Sequence, residues 1–513
     1  MSEVAFIHRE AMLLLCATLA AGHVLSGSHG VHFHGARCPA AVAQIGAGTG
    51  KYAKPVPLGP TDPWLVSAAD LVPAARPKSA TIEAIRAAAA DNLNGQVFPN
   101  RKVEAWRRTD LGILGGSSLT APSADSADMA AMASEMQADA ASEGARLVLV
   151  DGVIDPALSD VSALPDGVTV GSLLSCGAEA EAAVLGALKA PLPEQGADMR
   201  TALGAFTFAA LNQASLSDVA CIHVPAGVSV DIPVHVLCLS SGASAEGSLT
   251  ASHPSLVICM GKDASAKVLQ QYSGSGAYWT NGVTRVLLDE GSSIEHSYIQ
   301  EQAPAAVHID SVQVDVGAGA AYSNSLLQSG ARIGRVNMLV SLNGQGAHSK
   351  LRGLALASDN QLSDMHSQVT HAVPDCTSEQ EHRNAVAGRA RVVFRGAVKV
   401  PTGADNTTAA QLCRSLLLSD NARVDIQPCL EIDTDDVVCT HGATVTDLDD
   451  EMIFYLQARG LSRGQARSLL LEGWARDALA TVPSEGCTSR AALKAATLAK
   501  ELRAVRRDAL SSI

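Results

Sequence analysis

In the stretch LEIDTDDVVCTHGATV, Leu430 to Val445, Cys439 and His441 are separated by one residue and follow Asp433, Asp435 and Asp436. A thiolate and an imidazole at i and i+2 of a β-strand point to the same side, so both could reach one metal ion. Carboxylates are hard ligands suited to a hard divalent metal ion. Each group also has a plainer reading. Free cysteine often serves as a small buried hydrophobe, and a histidine can be an interface hydrogen-bonder. The three acids read best as a solvated strand edge that discourages aggregation. Cys413 and Cys429 lack ligand spacing and read as core. Nothing in the mature chain matches G-x-x-x-x-G-K-[ST], so any ATP must act through a partner.

Positioning such residues requires a scaffold, and the totals constrain it. The 513 residues are 47% hydrophobic and 18% charged, enough for one large or two to three ordinary domains. Aromatics make up only 3% while glycines number 43, so the core must use small and β-branched side chains, which suits layered or repetitive packing. A net charge of −14 offers no broad basic surface, which argues against a nucleic-acid partner. The 11 cysteines are odd in number and never form CxxC, a pattern that fits a reducing compartment rather than a disulfide framework.

Residues 1–60 read as a targeting leader. AMLLLCATLAAGHVLSG is an apolar segment too short to span a bilayer comfortably, and no acid occurs between Glu10 and Asp62. Signal-like followed by transit-like composition indicates a bipartite leader to the plastid (chloroplast) stroma, with no stable membrane insertion of the mature chain.

Residues 61–145 read as an N-terminal helical region and linker. SATIEAIRAAAADNL offers Ser79 as a cap and Ile82 and Ile85 on one face, and Gly115 to Gly144 reads as a linker or weak helix. Residues 146–445 read as mainly β. Four segments align on Ala264, Gly291, Gly319 and Gly346, with spacings of 27, 28 and 27, as coils of a parallel β-helix built from two or three short strands each. An evenly spaced β-sandwich is the alternative. Residues 446–513 read as helical: Asp449 caps a helix whose Met452, Tyr455 and Leu456 share a face, with Gly460 at C′. Ser462 and Gln465 have capping-box spacing for a second helix.

The segments FRGAVKVPTGADNTTAAQLCRSLLLSDNARVDIQPCLEI, DDVVCTHGATV and FYLQARGL, supported by FPNRKVEAWRRTDL, resemble the SufB/SufD family of iron–sulfur cluster assembly proteins, and its SufD branch in particular. The resemblance implies a right-handed parallel β-helix core flanked by N-terminal and C-terminal helical regions. It implies a non-catalytic scaffold that pairs with a SufB-like paralogue through the β-helices and binds a SufC-like ATPase through its C-terminal helices. Tyr455, Leu456, Arg459 and Gly460 then fall in the ATPase-docking region, and His441, with Cys439 as co-ligand, at the SufB-facing assembly site. No cofactor would be held stably; iron or a cluster would pass transiently. SufB-like chains carry Glu-His-Glu-Ala where this chain has Thr440-His441-Gly442-Ala443, which favours SufD over a SufB-type scaffold that holds the cluster itself. A β-helix carbohydrate-active enzyme would show repeated carboxylates or basic residues on one coil face, whereas these repeats present Ala, Ser and Gln.

Overall fold

The computed structural model describes residues 61–71, 79–122, 127–137, 144–195, 202–242 and 245–510; the expected leader lies outside them. From Ser255 to Thr446 the chain winds into seven coils of a parallel β-solenoid. Each coil gives one strand to an 11-stranded sheet and one to a 10-stranded sheet. Ser265, Ser293, Ala321, His348, Thr377, Thr408 and Val438 are successive partners in one column of the second sheet. A coil is therefore two strands, mostly about ten residues long, rather than two or three short ones.

The corner between the two strands of a coil sets the repeat. Here the backbone turns through positive φ at Asp263 (55°), Gly291 (69°), Gly319 (62°), Gly346 (74°), Asp375 (60°) and Asn406 (54°). Only glycine, asparagine and aspartate adopt this conformation readily. Each turn is tied to the next coil: Gly291 N–H donates to Ala318 O at 2.9 Å and Gly319 N–H to Gln345 O at 3.0 Å. The following positions, Ala264, Ser292, Ala320, Ala347 and Cys376, are small and buried, because they enter the narrow corner of the lumen. The glycines thus form one column as expected, but Ala264 belongs to the neighbouring column. Asp263 is the true equivalent of Gly291.

Helices cover the outer faces. Phe206–Ala214 and the flanking N-terminal elements seal the first sheet with Trp64, Phe98, Trp106, Phe208 and Trp279, whose rings meet edge-on or tilted. Ser79 occupies the N-cap position of Ala80–Leu93 without a side-chain capping bond, and Ile82 is buried. Within the 115–144 stretch, the described residues 115–122 and 127–137 are docked, and the weak helix of the alternative reading is Ala127–Gln137. Ser118–Thr120 pairs with Ser248–Thr250, and Met129 and Ala133 of helix Ala127–Gln137 pack on Val148, Leu237 and Leu239. Helices Arg463–Ala478 and Glu485–Leu510 lie on the second sheet, Leu471, Ala475, Cys487, Ala491 and Ala495 meeting Leu269, Ile299, Leu327, Leu354 and Leu416. Ion pairs Arg490–Glu301 and Arg383–Asp477, both 2.7 Å, pin them there. Among the described residues no helix is long and apolar enough to cross a membrane.

One buried charge anchors the N-terminal region. Arg335, fully enclosed, stacks its guanidinium 3.8 Å from the Trp106 ring centroid and donates to Ala105 O (2.8 Å), Thr109 Oγ1 (3.1 Å) and Asp364 Oδ2 (2.9 Å). His366 Nδ1 accepts from Arg335 at 3.1 Å while its Nε2 lies 3.0 Å from Asp364 Oδ1, the arrangement of a neutral ring. Burial alone would raise the Asp364 carboxyl, but His366 and Arg335 beside it hold it well below the usual carboxylate range. Its stabilising contribution is thus present above the unfolded value of about 3.9 and lost as pH falls through the lower folded value. Asp364→Asn should lower the unfolding free energy by about 3–5 kcal/mol, because Arg335 is left buried without its counter-charge. Urea denaturation at pH 7 measures this, and the deficit should shrink at strongly acidic pH.

Candidate functional site

The last coil consists of Arg423–Ile432 and Val437–Thr446, the terminal strands of the two sheets. No described strand pairs beyond them, so each carries one open edge. Cys439 pairs in register with Ala409, His441 with Gln411 and Ala443 with Cys413. Those three partners are buried and face the lumen, so Cys439, His441 and Ala443 continue the lumen column one step further, where no coil covers them. Both candidate groups therefore point the same way, as their i, i+2 spacing requires.

Their environments differ. Cys439 is half-buried against the cluster of Val398, Val400, Ala404 and Ala409, and burial pushes its thiol up. His441 is exposed, beside an open depression of ≈ 600 Å³ that also takes in Lys350, Arg352, Arg414, Thr440 and Gly442. Among the described residues no group of three or more His, Cys, Asp or Glu could hold a metal ion. Cys439 and His441 are two donors, so a tetrahedral or octahedral ion bound by them would need its remaining ligands from elsewhere.

Asp433, Asp435 and Asp436 are exposed in the turn between the two last strands and do not converge. Asp433 uses its N–H on Val400 O at 2.8 Å, and Thr434 bonds the Asp405 carboxylate. Cys413 is core, its thiol pushed up to about 12 by burial. Cys429 is not: it is half-buried on the edge strand, with Sγ 3.8 Å from Glu431 Oε1.

The next element is the helix Asp450–Ala458, capped as expected by the Asp449 side chain on Glu451 N (2.8 Å). Its buried residues are Ile453 and Leu456, the latter 2% exposed, so Leu456 does not share a face with Met452 and Tyr455, which are exposed. Phe454, 72% exposed, joins them at the surface. The i, i+3 pair Ile453 and Leu456 was the signal that could have located Phe454 on the free side. Arg459 places its guanidinium 5.1 Å from the Tyr455 ring centroid, and Gly460 ends the helix at φ 94°. Ser462 and Gln465 form the complete capping box.

Two family descriptions match this architecture: the SUF system FeS cluster assembly SufBD core domain over residues 241–474, and the SufBD protein N-terminal region over residues 73–236. The chain belongs to the SufB/SufD family. This family is one of iron–sulfur cluster assembly proteins. The chain is similar to the chloroplastic protein ABCI7 of Arabidopsis thaliana, 28% identical over 439 residues, or 83% of this chain and 88% of that one. It is also similar to the SufBD family protein slr0076 of Synechocystis (29% over 408 residues; 78% and 87%). Iron-sulfur cluster assembly protein SufD of Escherichia coli is 28% identical over 395 residues (76% and 86%). The N-terminal match contains the Trp106 anchor, and the core match contains the open last coil and the exposed Phe454.

In the folded chain Cys439 should alkylate more slowly at pH 7 than an unhindered thiol, and its rate should climb above the ordinary thiol range near 8.5. A mass-spectrometric time course with iodoacetamide checks this; fast modification at pH 7 would contradict the burial seen here.

Proposed function

We propose that this chain is a non-catalytic, SufD-type scaffold subunit that pairs end to end with a SufB-like paralogue and contributes to iron entry and cluster formation at their junction. The observation that carries the reading is the open last coil: two adjacent ten-residue edges, exposed Val438 and Val445, and a lumen column ending in Cys439 and His441. Unpaired edges of this length invite strand addition, and a second solenoid could continue both sheets at once. The two-donor set has the character of half a site, the remaining ligands coming from the partner's facing strand, with iron and sulfide as cargo. Thr440 and Gly442, in place of the glutamates of SufB-like chains, support the SufD assignment.

ATP enters through a SufC-like subunit. The surface offered to it is the exposed apolar patch Met452, Phe454 and Tyr455, presented by a helix whose Leu456 and Gly460 hold the conformation rather than make the contact. The absence of acids between Glu10 and Asp62 and the chloroplastic relative support a plastid location.

Coexpression with SufB-like and SufC-like partners tests both surfaces. His441→Ala should assemble normally yet form clusters on the order of 10-fold more slowly; an intact complex with normal cluster formation would remove His441 from the mechanism. Phe454→Glu should leave the SufB-like pairing in place and lose the ATPase subunit in pull-down.

A further inference from the structure

The lumen column beneath His441 is polar at the two positions nearest the open end. Gln380, Gln411 and His441 are successive in-register positions on three neighbouring strands. Gln380 Nε2 donates to Ser367 Oγ, and Gln411 Nε2 donates to Gln380 Oε1 at 2.7 Å. With both amide nitrogens used toward the interior, the chain of amides has a direction: its last acceptor, Gln411 Oε1, is left over at the open end. Gln411 is only 4% exposed, and this oxygen has no hydrogen-bond partner. Space for the amide is cleared on the facing sheet by Gly396, where a Cβ would overlap Gln411 Nε2. A larger residue there would displace the side chain.

A buried acceptor left unpaired is costly, and it can be satisfied only by a donor. The next position of the column is His441, about 4.8 Å along the ladder, whose ring N–H is such a donor. A hydrogen bond at one imidazole nitrogen decides which nitrogen keeps its lone pair.

Resting on the reading of His441 given above, we infer that Gln411 is the positioning residue of His441: the exposed ring, which does not reach Oε1 in this structure, swings inward so that Oε1 accepts one ring N–H, which fixes the neutral tautomer and turns the other ring nitrogen toward the open end. Gln411 touches no iron. It acts through the imidazole, and Ser367, Gln380 and Gly396 hold it in place.

The test is nitrogen NMR of the full chain labelled with 15N-histidine, the His441 signals being assigned by their loss in His441→Gln. Wild type should show one neutral tautomer at His441; a ratio like that of an unstructured peptide would overturn the inference, and this arm needs no core variant to fold. Gln411→Met, which keeps the side-chain length without the acceptor, should relax the ratio toward the peptide value. Gln411→Glu, which keeps an acceptor, should retain the wild-type tautomer. An unchanged single tautomer in Gln411→Met would overturn the assignment. In the assembled complex Gln411→Met should slow cluster formation about 10-fold. A tautomer shift without slower cluster formation would leave the Gln411–His441 coupling standing and overturn the role of His441 instead.

Discussion

Parallel coil stacking demands that every strand's backbone groups be met by the coil above and the coil below. Inside the solenoid this is fulfilled from one ladder to the next, and the columns of equivalent residues follow from it. At the last coil it is not. A solenoid has no internal way to satisfy its end strands, so the chain must leave them to solvent or offer them to another molecule. The position of Cys439 and His441 at the open end and the unpaired oxygen of Gln411 both follow from that single unfinished ladder.

The rest of the structure keeps this end in shape. On one outer face the Arg335, Trp106 and Asp364 cluster joins the N-terminal region to the coils. On the other, Arg490–Glu301 and Arg383–Asp477 fasten the C-terminal helices. The exposed aromatic residues of Asp450–Ala458 follow directly after the last strand, so the edge surface and the apolar surface are neighbours in the chain.

Much of this was legible beforehand, and the misses have identifiable causes. Gly291, Gly319 and Gly346 declared the repeat because a positive-φ corner favours glycine. Asp263, at the same corner, was missed because aspartate also tolerates that conformation while looking like any polar residue. The spacing of Cys439 and His441 showed that they share a side but not which side, since a period of two is blind to in and out. On the C-terminal helix, apolar residues cover both faces, so periodicity grouped Met452 and Tyr455 with Leu456 instead of separating them. Gly115 to Gly144 read as a linker or weak helix because its small residues carry little local signal; what the sequence did not show is that Ser118–Thr120 pairs with Ser248–Thr250 and that helix Ala127–Gln137 packs on Val148, Leu237 and Leu239.

By itself the sequence determined the repeat, the parallel coil architecture, the helix caps and the family motifs, because each depends on residue types within one coil or one helical turn. Tertiary structure alone decided that no described strand covers the last coil, that Cys439 is half-buried while His441 is exposed, that Leu456 is core while Phe454 is surface, and that Gln411 ends a chain of amides beneath the histidine. Those properties depend on which coil lies next to which, and on where the stack stops.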